Sequence, residues 1–308
     1  MLVLLLLISL LVFLILQLVP GGPFDELLAS PRVTQLDIDR LNRLIGLDRP
    51  WYERYPLWLS KAVLLDWGAS WQVAFGQPVG KVITDRLPNT LVLMGISTVL
   101  SIVIAIPIGI YSAIRKYSLA DYFVTGLSFF GISMPVFWFG LMLMIIFAVK
   151  LGWLPTSGVS TPGLENHVAD RIKHLMMPVM VLSLVNVAQW SRFMRSSMLE
   201  ILSVDYMRTA RAKGLTEATV IFRHGVRNAL IPVITILGLD IPVLFSGAVI
   251  TETIFSWPGM GRLLRDAVFA NDWPVVQAVI MITAFLVILG NLVADLLYAV
   301  VDPRIRYS

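Results

Sequence analysis

The chain contains no cysteine, which excludes disulfides, thiolate metal centres and cysteine nucleophiles. Charge is scarce as well. Asp, Glu, Lys and Arg make up 14% of the residues, whereas a soluble globular domain usually carries about 25%. Only three histidines occur, His167, His174 and His224, too scattered to suggest a metal site in this chain. Three motifs are also missing: H-E-x-x-H, the G-x-S-x-G nucleophile elbow, and the phosphate-binding G-x-x-x-x-G-K-[S/T]. Nothing therefore points to a zinc hydrolase, a serine hydrolase or a chain that binds ATP by itself.

What is present is apolar. Hydrophobic residues form 57% of the 308, and the mean hydropathy is +0.80. They gather in runs long enough to cross a bilayer, which takes roughly 20 residues. Six such spans are expected: Met1–Val19, Thr90–Ile114, Tyr122–Val149, Leu175–Trp190, Ala229–Ile250 and Val275–Val301. The fold class is all-α polytopic membrane protein. Met1–Val19 reads as a retained helix and not as a signal peptide, because its apolar run is full length and ends in Pro20-Gly21-Gly22-Pro23 without an A-x-A site. Pro107, Pro135, Pro178 and Pro242 fall within spans and read as kinks, which helix bundles tolerate.

Orientation follows from the basic residues between spans. Arg115 and Lys116 lie in the second connection, and Arg192, Arg195, Arg208, Arg211, Lys213, Arg223 and Arg227 in the fourth. Arg304 and Arg306 follow the last span. Their side is expected to be cytoplasmic, with both termini. The first connection, residues 20–89, carries eight basic and eight acidic residues and is long enough to be exported whatever its charge. Helical apolar spacing over Asp39–Leu47 and Trp51–Leu65 predicts that this external segment is ordered. Three parts result: a first helix over 1–19, an external segment over 20–89, and a five-helix core over 90–308.

The fourth connection, residues 191–228, is too patterned to be a simple turn. Ser203 or Asp205 can start a short helix through Tyr206–Lys213, and Gly214 can end it in the left-handed conformation. Thr216 caps a second helix reaching about His224, with Gly225 as a further stop. Helix-turn-helix DNA binding is a poor reading, because both ends are tethered to the bilayer within a few residues. A basic surface near anionic lipid, and a docking element for a partner protein, both remain.

The segment Tyr206-Met207-Arg208-Thr209-Ala210-Arg211-Ala212-Lys213-Gly214-Leu215, followed by Asn228-Ala229-Leu230-Ile231-Pro232, resembles the EAA loop of ABC-importer permeases. Arg208-Thr209-Ala210 replaces the glutamate-bearing version, as in the peptide and nickel branch. Leu18-Val19-Pro20-Gly21-Gly22-Pro23 is similar to that branch's L-x-P-G-D-P. Glu252 to Gly261 is similar to its E-x-x-F-x-x-P-G-x-G, and Asp302-Pro303-Arg304-Ile305-Arg306-Tyr307 to its ending. With its long external segment the chain most resembles the B-type permease of dipeptide, oligopeptide and nickel importers. The resemblance implies an ABC type I importer fold in a prokaryotic plasma membrane. It also implies a second homologous permease, two cytoplasmic ATPases carrying ATP and Mg, an external substrate-binding protein, and no catalysis or cofactor in this chain. Tyr206–Leu215 would be the coupling segment, with Ala210, Ala212 and Gly214 giving a small contact face.

Inside the spans, Asp240 and Asp295 are pathway candidates because intramembrane acids are costly. Glu252 and Trp257 are candidates for a gate near the outer end of the fifth span. Trp257 and Trp273 also read as interfacial anchors. Asn186, Gln189 and Asn291 read as interhelical hydrogen bonds. An ion-coupled secondary transporter is the alternative. It would favour paired midplane acids and an internal repeat, and would leave the patterned loop without a role.

Overall fold

The computed structural model describes residues 2–19, 34–44 and 46–301. The motifs at residues 20–23 and 302–307 lie outside the described residues. Among those described there is no strand, only an isolated antiparallel bridge between Ala69 and Pro78. The helices are α1 (Leu2–Leu18), α2 (Gln35–Leu44), α3 (Trp51–Val63), α4 (Val79–Ile114), α5 (Leu119–Ser133) and α6 (Val136–Leu143), the last continuing as a π-helical turn over Met144–Lys150. Then come α7 (Val168–Leu202), α8 (Asp205–Ala212) and α9 (Glu217–Thr219), which runs through a π-helical segment, Val220–Val226, into α10 (Arg227–Asp240). The short α11 (Val243–Ser246) and α12 (Val249–Ile254), then α13 (Met260–Phe269) and α14 (Trp273–Val301), complete the chain.

Four stretches are long and apolar enough to cross a membrane, Val79–Ile114, Val168–Leu202, Glu217–Ile254 and Trp273–Ala294. A fifth results if α5 and α6 with its π-helical turn count as one bent span. The expected third span is thus broken, by 103°. The cause is Pro135. It has no N–H to give the ladder, and it pushes Met134 into extended backbone at φ −78°, ψ 126°. Pro178, by contrast, stays inside a continuous helix.

The expected fourth span is the middle of a 35-residue helix, about 52 Å long at 1.5 Å per residue. Arg192 and Arg195 are therefore on α7 and not in a loop. The predicted stop at Gly225 is also absent, because the backbone stays helical from Glu217 to Asp240. Gly225 instead leaves room for packing: a Cβ there would lie 3.4 Å from the Met207 methyl.

Two compact units can be distinguished, Met1–Thr90 with Pro258–Ile288, and Leu91–Trp257 with Leu289–Ser308. In the first, Val12 and Leu16 of α1 pack with Val79, Val82 and Ile83, with Met260, Leu263 and Ala267, and with Val275 and Val279. The two helices expected in the segment after α1 are present as α2 and α3. Tyr55 of α3 hydrogen-bonds Ser9 of α1 at 2.9 Å, and Arg54 Nη1 donates to Gln17 Oε1 at 2.9 Å. Buried Asp272 accepts from the Ser70 hydroxyl at 2.5 Å and from the backbone N–H groups of Trp71, Gln72 and Val73. One carboxylate thus fastens the loop before α4 to the start of α14.

In the second unit α4 and α7 approach closely. A Cβ on Gly109 would meet both Met194 Cβ and the Ser191 carbonyl at 2.6 Å. Nearby, Ser97 and Ser183 join the two helices, with Ser183 Oγ donating to the Ser97 carbonyl at 3.1 Å. Small and hydroxyl residues replace apolar bulk where membrane helices touch.

Candidate functional site

The α8 segment is built as a short hairpin on the end of α7. Val204 precedes α8 without a side-chain cap, so neither Ser203 nor Asp205 supplies the expected one. Gly214 has φ +75°, the left-handed turn expected of it. Thr216 caps the next helix, accepting from the Thr219 N–H at 3.4 Å. Arg211 closes the hairpin on Glu217 through Nε–Oε2 at 3.2 Å and Nη2–Oε1 at 2.9 Å.

Met207 and Ala210 turn inward and pack on Val220, Ile201 and Leu202. The outward face carries Tyr206, Arg208, Thr209, Arg211, Ala212, Lys213, Gly214 and Leu215, all exposed. Ala210 is therefore part of the hairpin's own core, while Ala212 and Gly214 stay accessible. Around Gly214 there is open space: an added Cβ meets nothing within 4 Å. A larger residue there is strained by the positive φ and does not clash within this chain.

The base of α7 is tied to α5 by a pair that the charge pattern alone did not reveal. Arg195 donates to Asp121 through Nε–Oδ1 at 2.7 Å and Nη2–Oδ2 at 2.8 Å. Ser112 of α4 donates to the same carboxylate, and the Tyr117 N–H reaches Oδ2 at 2.9 Å. The end of α4, the start of α5 and the last third of α7 meet at one buried anion. The signal in the sequence was Asp121 itself, an acid at the mouth of an apolar run.

A second site lies deeper in the same unit. A cavity of about 280 Å³ opens between α4, α6, α7 and the α10–α12 segment. Its wall is mostly apolar, with Ser97, Thr98, Asn186, Trp190 and Asp240 as polar groups. Trp190 Nε1 donates to Asp240 Oδ2 at 3.0 Å. Asp240 is the last residue of α10, and the chain beyond it is interrupted at Ile241-Pro242 and again at Gly247-Ala248. Gly247 sits at φ 77°, ψ 162°, a region that only glycine enters readily.

Of the three singled-out pathway or gate residues whose side chains are described, Asp240, Glu252 and Trp257, only Asp240 lines this cavity. Glu252 is fully buried in α12, with the Ala248 N–H 3.4 Å from its Oε1. Trp257 is only 3% exposed and packs on Leu93 and Val179, so it is a core residue and not an exposed interfacial anchor. Trp273 is half-buried on the α1–α4–α13 cluster. The Asp295 side chain lies outside the described residues. Asn186 lines the cavity, whereas Gln189 and Asn291 are exposed and make no hydrogen bond between helices among the described residues.

Comparison with known proteins agrees with this architecture. The profile of the family described as "Binding-protein-dependent transport system inner membrane component" matches residues 105–307. The oligopeptide transport system permease protein AppB of Bacillus subtilis is 49% identical over 300 residues, covering 97% of this chain and 94% of that protein. The di/tripeptide transport system permease protein DppB of Pseudomonas aeruginosa is 40% identical, covering 98% and 94%. The glutathione transport system permease protein GsiC of Escherichia coli is 40% identical with the same coverage. Among solved structures, a chain of the inward-facing MetNI methionine ABC transporter superposes with a TM-score of 0.57 at 15% identity, covering 72% of this chain and 96% of that one. That likeness speaks for the fold, and the near-full-length identities speak for descent. This chain is a multi-pass membrane protein of the binding-protein-dependent transport family, in the branch that holds the oligopeptide and dipeptide ABC permeases.

Proposed function

We propose that this chain is one of two permease subunits of an ATP-driven peptide importer in the bacterial plasma membrane. It contributes half of the pathway and no catalysis. Six spans are proposed, with α1 and the bent α5–α6 pair among them, both termini in the cytoplasm, and residues 20–89 outside. The observation that carries this reading is the near-full-length identity to peptide permeases.

In this reading the exposed face of α8, with Tyr206, Arg208, Thr209, Arg211, Ala212, Lys213, Gly214 and Leu215, docks in a cleft of a cytoplasmic ATPase. ATP and Mg are held by the two ATPases, and an external binding protein delivers the cargo. Closing the ATPases pulls on α8, and the Asp121–Arg195 fork passes that pull to α4 and α5 together. A short helix whose inner face is packed and whose turn is pinned by Arg211–Glu217 is stiff enough for this task. Among the pathway residues, Asp240 is proposed to meet the cargo, as argued below, with Glu252 and Trp257 supporting the outer closure from within the fold.

Purification from the native membrane in mild detergent, followed by mass spectrometry, tests the assembly. An ATPase and a second permease should co-elute, and should be lost when the exposed α8 face is replaced. A stable homo-oligomer without an ATPase would overturn the reading.

A further inference from the structure

Asp240 is the one formally charged residue lining the cavity among the described residues. No Lys or Arg of the described chain pairs with it, and its single hydrogen bond comes from the neutral Trp190 indole. An anion kept in an apolar wall within a spanning segment is costly unless something cationic visits it. Its position adds to this. It is the last residue of the 14-residue α10, directly before the interruption at Ile241-Pro242. Beyond it the α11–α12 break at Gly247 puts non-helical backbone on the cavity wall. At membrane depth such backbone is tolerated where it lines a cavity, and interrupted helices are a common setting for transported solutes.

Resting on the peptide-importer reading, we propose that this cavity receives the ammonium group of the cargo in passage, with Asp240 as its counter-ion. For a peptide that group is the free amino terminus. The volume fits a terminal residue better than a whole chain. At about 280 Å³ it lies just below the range of roughly 300–1,000 Å³ that holds complete small ligands. The apolar wall from α4, α6 and α7 would accept side chains of varied shape while the terminus is held. Asp240 would thus contribute a preference for free amino termini.

The competing role is structural, with Asp240 serving only to hold Trp190 and so join α7 to α10. The two roles separate by substitution in cells carrying the complete transport system. Asp240→Asn keeps an acceptor for the indole and removes the charge, whereas Trp190→Phe removes the indole donor and keeps the charge. Uptake of a defined library of short free-amino peptides is read by mass spectrometry, alongside subunit abundance and complex integrity. The expected result is a loss on the order of tenfold or more in Asp240→Asn, as befits a charge-assisted contact. Asp240→Glu should restore part of it, and Trp190→Phe, which alters the cavity wall but keeps the carboxylate charge, should lose clearly less uptake than Asp240→Asn.

Uptake by Asp240→Asn at the wild-type level would overturn the ammonium assignment while leaving the importer reading intact. So would an equal loss in Trp190→Phe, or a complex that comes apart when the charge is removed. A wild-type system that imports no peptide at all would overturn both.

Discussion

Arg195 of α7 grips Asp121 of α5 at two points, 2.7 and 2.8 Å, and the carboxylate side chain is only 3% exposed. The fork geometry matters, because a planar guanidinium matches a carboxylate in a way that an ammonium does not. Arg195 lies about two turns before the end of α7, from which the chain continues into α8, so the pair stiffens the stretch of α7 that leads to α8.

Breaking that pair from either side leaves a charge without its partner. Arg195→Ala is expected to destabilise the protein by about 3 kcal/mol, the lower end for a broken buried pair because the arginine is partly open to solvent. Arg195→Lys should retain part of the stability but lose the second contact. Thermal unfolding of the purified protein in detergent would show both, and an unchanged midpoint for Arg195→Ala would contradict the role given to the fork.

Gly109 and Gly95, both on α4, should respond in opposite directions to alanine. At Gly109 the new methyl meets Met194 Cβ and the Ser191 carbonyl at 2.6 Å, so α4 and α7 must separate, at a cost of about 1–3 kcal/mol. At Gly95 nothing lies within 4 Å, and alanine should be neutral or stabilising by up to about 1 kcal/mol from helix propensity. Comparing the two unfolding midpoints separates packing from propensity.

Gly214→Leu should abolish most uptake at normal membrane abundance. The left-handed backbone at φ +75° costs a non-glycine residue roughly 1–2 kcal/mol, which favours a different turn, and the new side chain projects from the exposed face. Gly214→Asn, which tolerates that conformation better, should keep more activity. Wild-type uptake by the leucine variant would remove this turn from the coupling segment.

Asp272→Ala removes the acceptor shared by the Ser70 hydroxyl and three successive backbone N–H groups. The loop over Ser70–Val73 should then open more often, and hydrogen exchange at Trp71, Gln72 and Val73 should rise by on the order of a hundredfold, for about 3 kcal/mol of lost fastening. Exchange at α7 amides, which belong to the other compact unit, should not change.

Much of the architecture is a one-dimensional property of this chain. Long apolar runs, a shortage of charge and basic residues between runs are enough to call for a polytopic helical membrane protein, because a bilayer leaves the backbone few other choices. Gly214 as a left-handed stop and Thr216 as a cap were legible too, since turn chemistry is decided within a few residues. Tertiary structure decided what depends on residues far apart in sequence. Pro135 and Pro178 look alike along the chain, yet one breaks a span by 103° and the other stays inside a continuous helix. Ala210 reads as a docking surface until Met207 and Val220 close over it, and Trp257 reads as an interfacial anchor until Leu93 and Val179 do the same. Arg195 reads as a topology signal until Asp121, 74 positions away, turns it into a strut. Asp240 could be singled out from sequence by the cost of burying a charge, but its place on a cavity wall at the end of a broken helix arises only when α4, α6 and α7 surround it.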